Sequence, residues 1–258
     1  MLLNYFIGTA GSGKSTLTSE LKAYVLNRDP EISAITLNLD PGVKILPYNP
    51  DIDIRDFIVL EDVMTEYGLG PNGAMILASD LMVNYLDEIK EEIDEYNPDW
   101  IFVDTAGQLE LFAFRDTGPL IASSLGFGSI QRAVSFLFDS NLVLRPNGFI
   151  STLLLAASVQ FRFRSIPQIN VLSKVDLLSE EQIEMIVNWS QDFKALEDST
   201  NERESGLIRE LSMLISDVFV QMGSTSELMP CSIKEEDGLD ILFGSIQRVF
   251  DSDKSQFY

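Results

Sequence analysis

The stretch Leu2-Leu3-Asn4-Tyr5-Phe6-Ile7, then Gly8-Thr9-Ala10-Gly11-Ser12-Gly13-Lys14-Ser15, then Thr16-Leu17-Thr18-Ser19-Glu20-Leu21 decides the reading of this chain. An apolar run stops at a glycine-rich loop, and from Lys14 to Asn27 the apolar residues Leu17, Leu21, Tyr24 and Val25 recur at helical spacing. The loop matches G-x-x-x-x-G-K-[ST] without a mismatch, in the strand-before, helix-after context that gives the pattern its mechanism. Its glycines let the backbone curl so that successive N–H groups point inward at phosphate oxygens. Lys14 is placed to reach β- and γ-phosphates, and the Ser15 hydroxyl to ligate magnesium, a hard ion that prefers oxygen. Gly11, Ser12, Gly13, Lys14, Ser15 and Thr16 are thus candidate nucleotide-binding residues. A chance glycine-rich turn is the bland alternative, and the flanking strand and helix argue against it.

Further along, continuous apolar runs end at polar residues or glycine. Ala34 to Leu39 ends at Asp40-Pro41-Gly42, Trp100 to Val103 at Asp104, Ala133 to Phe138 at Asp139, and Gln168 to Leu172 at Ser173-Lys174; Leu228 to Cys231 is a weaker sixth run. Runs without alternation suit strands buried on both faces. Helical segments separate them, at about Ala74 to Tyr96, Glu180 to Leu196, Gly206 to Met222 and Leu239 to Phe250, while Ala195 to Ser205 reads as an exposed loop. This alternation predicts one α/β domain over residues 1–258, with a doubly wound, mainly parallel sheet and helices on both faces. Ligands of such folds bind at the carboxyl edge of the strands. Helical insertions are expected at about 41–99 and about 141–165; the second is rich in apolar residues and suits either a partner-contact surface or an ordinary core helix.

Two further segments carry chemistry. Asp104-Thr105-Ala106-Gly107-Gln108 follows a buried strand, so Asp104 can hold magnesium, Gly107 can offer its N–H to a γ-phosphate, and Gln108 can orient an attacking water, since an amide donates and accepts at once. Asp40 is either a turn aspartate or an outer magnesium or water contact; Asp139 reads as structural. In Ser173-Lys174-Val175-Asp176, Asp176 can accept from the N1–H and 2-amino groups of guanine. Adenine offers neither donor, and a site built to bond a group rejects the analogue that lacks it. The stem of Lys174 can lie over the base. Guanine-specific proteins usually carry Asn where this chain has Ser173, and a hydroxyl cannot reproduce both amide contacts. Backbone N–H groups of Cys231-Ser232-Ile233 are candidates for guanine O6. Gly70-Pro71-Asn72-Gly73 reads as a β-turn, or as a rigid turn that presents Asn72 at a positive helix N-terminus.

Composition narrows the partners. The chain has 18 Lys and Arg against 40 Asp and Glu, a formal charge of −22, which repels phosphate backbones and anionic lipid. No direct nucleic-acid binding is expected. Histidine is absent, so catalysis must use carboxylates, amides, Lys, Ser or Thr and bound metal. One cysteine, Cys231, suits a reducing compartment. No run reaches the ~20 apolar residues of a membrane span, and the first residues lack the basic region of a signal peptide; a cytoplasmic location is expected, with no membrane partner.

The order of phosphate loop, Leu39-Asp40-Pro41-Gly42, Gly70-Pro71-Asn72, Asp104 to Gln108 and Ser173 to Asp176 resembles the GPN-loop GTPases. The segments Asn38 to Tyr48 and Phe149 to Ala156 are similar to that family too, so the resemblance spans Met1 to about Phe250, and the family's simpler, archaeal-type single-copy members are the likeness. It implies a P-loop NTPase fold, GTP hydrolysis to GDP with Mg2+, and a constitutive homodimer with facing sites. It implies that Asn72, with Gly70 and Pro71, contacts phosphate in the partner's site, in the place of an arginine finger though uncharged. Asp40, Asp104 and Gln108 match the family's magnesium- and water-handling positions. The region from Asn141 to Ser165 matches one linked to an apolar pocket for partner chains, and eukaryotic relatives are tied to RNA polymerase assembly. These implications suggest a nucleotide-driven assembly or chaperone-like switch. The alternatives are a P-loop kinase or ATPase that transfers the γ-phosphate to another acceptor, and a module that binds nucleotide without hydrolysis. Ser173 is the departure from the family pattern.

Overall fold

The run Leu2–Gly8 (β1) lies at the centre of a parallel sheet in the computed structural model of the chain, which describes residues 1–126, 130–221, 227–234 and 236–254. In chain order follow α1 (Lys14–Arg28), β2 (Ala34–Leu39), the two-residue β3 (Ile52–Asp53), α2 (Leu60–Tyr67), α3 (Pro71–Leu81), α4 (Leu86–Tyr96), β4 (Trp100–Thr105), α5 (Leu109–Phe112), α6 (Thr117–Ser124) and β5 (Gln131–Asp139). The chain continues through α7 (Ser140–Val143), α8 (Pro146–Arg162), β6 (Gln168–Ser173), α9 (Glu180–Gln191), α10 (Phe193–Arg203), α11 (Gly206–Gln221), β7 (Leu228–Cys231) and α12 (Glu236–Lys254). The strand order is β3-β2-β4-β1-β5-β6-β7, all parallel. The α/β, doubly wound reading is therefore correct.

Burial on both faces explains the unbroken apolar runs. Leu3, Tyr5 and Ile7 of β1 enter one core layer with α3, α4 and α8, while Phe6 enters the other with α1 and α12. That second layer is stacked with aromatics: Trp100 lies 4.8 Å from Phe243 and 5.6 Å from Phe250, centroid to centroid. Such contacts add to burial, which is the main stabilising term.

Four details depart from the sequence expectations. The helical stretch Ala74 to Tyr96 is two helices with a 3-10 turn at Met82–Tyr85 between them. The stretch Glu180 to Leu196 breaks at Asp192, whose carboxylate caps α10 by accepting from the Lys194 N–H at 2.9 Å. Most of the stretch read as a loop, Ala195 to Ser205, is α10 itself, because Leu196 and Thr200, four apart, are both fully buried. Ile52 and Asp53 pair with Leu37 and Asn38, so the segment 41–99 contributes an edge strand as well as helices. Met222, expected at the end of a helix, lies outside the described residues.

The apolar helix expected near 141–165 is α8, whose Phe149, Ile150, Leu153, Ala156 and Val159 are buried; Leu154 and Phe161 face solvent. A longer exposed apolar stripe runs along α11 through Leu207, Leu211, Leu214 and Val218, at heptad-like spacing.

Candidate functional site

Every candidate segment except Gly70-Pro71-Asn72 lies at or just past the carboxyl end of a strand of this sheet. The phosphate loop joins β1 to α1. Gly11 and Gly13 have φ of 76° and 98°, in the left-handed region that favours glycine over residues with a side chain. Lys14 is buried, and its ammonium donates to the carbonyls of Gly8 and Thr9 at 3.0 Å each. Burial lowers its pKa, while the nearby Asp104 and Asp40 carboxylates oppose that shift. Around it, Thr9 Oγ1, Ser12 Oγ and Asp104 Oδ1 are buried without a hydrogen-bond partner. Buried polar atoms are normally paired; a cluster of unpaired ones on a cationic loop is what an oxygen-rich ligand would complete.

Asp104 lies in β4, in register with Phe6. Burial pushes its carboxyl up to about 6, against the lowering effects of Ser15, Lys14 and the Tyr48 hydroxyl, which donates to Asp104 Oδ2 at 3.2 Å. Asp40 stands one strand away, where its two carboxylate oxygens accept the Gly42 N–H at 3.0 Å and the Gly107 N–H at 3.1 Å. Its own N–H donates to Asn38 Oδ1 at 3.0 Å, Asn38 donates to Asp53 at 2.8 Å, and Asp53 pairs with Arg55 at 2.5 Å. Asp40 is therefore more than a turn residue: it is the end of a polar chain that reaches into the edge strand. Gln108 is exposed at the start of α5, and its amide has no hydrogen bond among the described residues.

The Ser15 hydroxyl with the Asp104 and Asp40 carboxylates is an all-oxygen donor set. No group of three or more His, Cys, Asp or Glu able to hold a metal occurs among the described residues. That combination fits magnesium, which takes one or two carboxylates and fills its shell from phosphate and water, and it does not suit an ion that needs a full protein cage. Asp104 Oδ1, buried without a hydrogen-bond partner, keeps lone pairs that such an ion would coordinate.

The base-reading candidates surround a mostly apolar cavity of about 240 Å³, lined by Gly13, Thr16, Leu17, Ser173, Lys174, Asp176, Leu177, Cys231 and Ile233. Lys174, at φ 60°, crosses the phosphate loop: a Cβ on Gly13 would lie 3.7 Å from its Cε, and its ammonium bonds the Gly11 carbonyl and Asp139 at 2.7 Å. Asp139 thus does two things, since it also caps α7 through the Asn141 N–H. The Ser173 hydroxyl is directed at the Ser12 and Phe138 carbonyls, 2.8 and 3.1 Å away, and so ties the loop to the sheet. Asp176 pairs with Lys234 at 2.6 Å and accepts from the Ser232 hydroxyl at 3.3 Å. The Lys234 ammonium holds its carboxyl below the usual range.

Asn72 lies at the second position of α3, exposed, with Pro71 at the first. Proline is favoured there because its missing N–H is unneeded in the first turn. Gly70-Pro71-Asn72 is therefore a helix start, and it sits on a different element from the rest of the site.

Sequence reasoning did not find Tyr48 on Asp104, Lys234 on Asp176, or the Asn38–Asp53–Arg55 chain. The first two join residues 56 and 58 positions apart, which no local pattern records.

Comparison with known proteins adds four findings. A family model described as "Conserved hypothetical ATP binding protein" matches residues 6–252. The chain is 30% identical over 254 residues to GPN-loop GTPase 1 of Dictyostelium discoideum, covering 93% of this chain and 59% of that one. It is 36% identical over 193 residues to a GPN-loop GTPase of Pyrococcus abyssi, covering 74% of each. The solved apo structure of a GTPase from Pyrococcus abyssi matches with a TM-score of 0.81 at 29% identity, over 96% of this chain and 97% of that one.

Proposed function

Since the chain belongs to the GPN-loop GTPases, we propose that it is a magnesium-dependent GTP hydrolase acting as a homodimer. The observation that carries this reading is the pairing of two half-sites: unsatisfied buried oxygens around Lys14, and an apolar cavity ending in the Asp176 carboxylate. The matching family model speaks of ATP while the relatives are named GTPases. Asp176 favours guanine on chemical grounds, because an acceptor-only carboxylate finds two donors on guanine and none on the corresponding edge of adenine.

The loop amides and Lys14 bind the β- and γ-phosphates, with Lys14 transferring from the Gly8 and Thr9 carbonyls to phosphate oxygen. Ser15, Asp104 and Asp40 would hold magnesium, which when bound neutralises phosphate charge. Gln108 orients a water in line with the γ-phosphorus. A new bond forms from water oxygen to phosphorus, the β–γ bridging bond breaks, GDP leaves, and the water proton ends on the released phosphate. Asn72, from the second subunit, contacts the same phosphate. The test is phosphate release with GTP and with ATP in the absence of any acceptor. Release with GTP alone supports the reading; equal release with both, or none without an acceptor, overturns it.

The reading extends to an assembly switch in the cytoplasm. The exposed stripe of α11, with Leu154 and Phe161 of α8, supports it as a surface for an apolar protein segment. No helix among the described residues is long and apolar enough to cross a membrane. Equal binding of an apolar peptide in the GTP- and GDP-loaded states would remove this extension.

A further inference from the structure

Helix α3 touches both segments that flank the phosphate end. Near its middle, Met75 lies on the turn after β2: a Cβ built on Gly42 would come 2.1 Å from the Met75 sulfur, so the end of this side chain rests directly on the bare glycine. Toward its end, Asp80 accepts from Arg115 on both carboxylate oxygens, through Nε at 2.7 Å and through Nη2. Arg115 sits just past α5, the short helix that Gln108 opens. The same stretch is gripped from the other side, where Arg162 at the end of α8 donates to the Ala113 carbonyl at 2.7 Å and to Asp116 at 3.0 Å.

The two braced segments are also joined to each other. The Asp40 carboxylate holds Gly42 and Gly107 by their N–H groups. A ligand oxygen that takes the Gly107 N–H must break that bridge. Behind it, the inner face of α3 is closely packed, with Ala74, Ala78 and Ser79 at 0% exposure; packed elements shift between arrangements as bodies rather than bending. An ion pair as exposed as Asp80–Arg115 adds little stability, but its fork geometry fixes direction as well as distance.

We propose that Asp80 and Arg115 are positioning residues for hydrolysis. Their bidentate pair, with Met75 on Gly42, sets where α3 holds Asn72 according to whether the Gly107 N–H belongs to Asp40 or to a γ-phosphate. The inference rests on the reading of Asn72 as a phosphate-contacting side chain, and it adds residues that touch neither nucleotide nor water.

The experiment compares Arg115→Gln, Asn72→Ala and the double variant for kcat, KM with GTP, and GDP affinity in the full-length protein. Misplacing a contact group lowers the chemical step more than ground-state binding, so kcat of Arg115→Gln should fall about tenfold with KM and GDP affinity held within about twofold. In the Asn72→Ala background the same lesion should add less than about twofold, whereas independent effects would multiply and the full loss of about tenfold would remain. The reversed pair, Asp80→Arg with Arg115→Asp, should recover most of the lost kcat; Arg115→Lys, which keeps charge without the fork, should not. Multiplying effects, or an unchanged kcat in Arg115→Gln, would overturn the inference and leave Asn72's role intact. An unchanged kcat in Asn72→Ala would overturn the reading of Asn72 and the inference with it.

Discussion

The two ends of the candidate nucleotide site are built on opposite principles. At the phosphate end, several buried polar atoms lack hydrogen-bond partners, Thr9 Oγ1, Ser12 Oγ and Asp104 Oδ1 among them, and Lys14 bonds carbonyls of its own loop. At the base end, the charges are already matched, Lys174 by Asp139 and Asp176 by Lys234, around an apolar cavity. One end gains hydrogen bonds when a ligand arrives; the other must exchange one partner for another. If both ends hold nucleotide as proposed, the phosphates should supply most of the binding, because exchanging the Lys234 ion pair for a base contact returns little net free energy.

The sharpest way to break this comparison is Lys14→Ala. Removing a preorganised donor from a buried site lowers turnover by about 10²–10³-fold or more, read by phosphate release at saturating GTP; near-normal turnover would show that the loop is not waiting for charge. Next is Asp176→Asn, which turns two acceptors into one acceptor and one donor. The ratio of kcat/KM for GTP to that for xanthosine triphosphate, whose 2-oxo group accepts, should fall by about 10²–10⁴-fold, with little change in the phosphate contacts.

A smaller effect is expected at Lys234, whose side chain is 67% exposed. Lys234→Met frees Asp176 from the partner that guanine displaces, so GTP affinity should rise by up to about fivefold and lose part of its salt dependence. The sign with pH follows. Lys234 keeps the Asp176 carboxyl below its ordinary range, so wild type retains its carboxylate to lower pH, and in the variant guanine preference should disappear at a higher pH as acid is added. Titrating GTP binding downward from neutrality reads this directly. The smallest signal concerns Cys231, which lines the cavity at 3% exposure and whose thiol is pushed up to about 12 by burial. At pH 8 it should resist a thiol reagent in the native protein and react at once in denaturant; rapid native labelling would mean that the base end opens on its own.

What could be read in the sequence follows the same division. The phosphate loop is eight contiguous residues whose glycines are dictated by local backbone geometry, so its chemistry is written in one place. The strands were legible because burial on both faces leaves unbroken apolar runs. The base end was half legible: Asp176 and Lys174 stand together after β6, but the cation that meets Asp176 comes from beyond β7. Ser173 matched a base-contacting position, yet its hydroxyl bonds the phosphate loop and β5, a direction that residue type cannot reveal. Helix α10 was hidden because only Leu196 and Thr200 bury there and the rest of its surface is polar, so the cap at Asp192 carried more information than the hydrophobic pattern did.

The margins of the sheet have a consequence of their own. One rim is β3, two residues long, and the other is β7, which includes Pro230 and so lacks one backbone donor. Seven parallel strands would otherwise present long, ready templates for a stray extended segment. With one border so brief and the other lacking a backbone donor, concentrated solutions should resist strand-by-strand polymerisation.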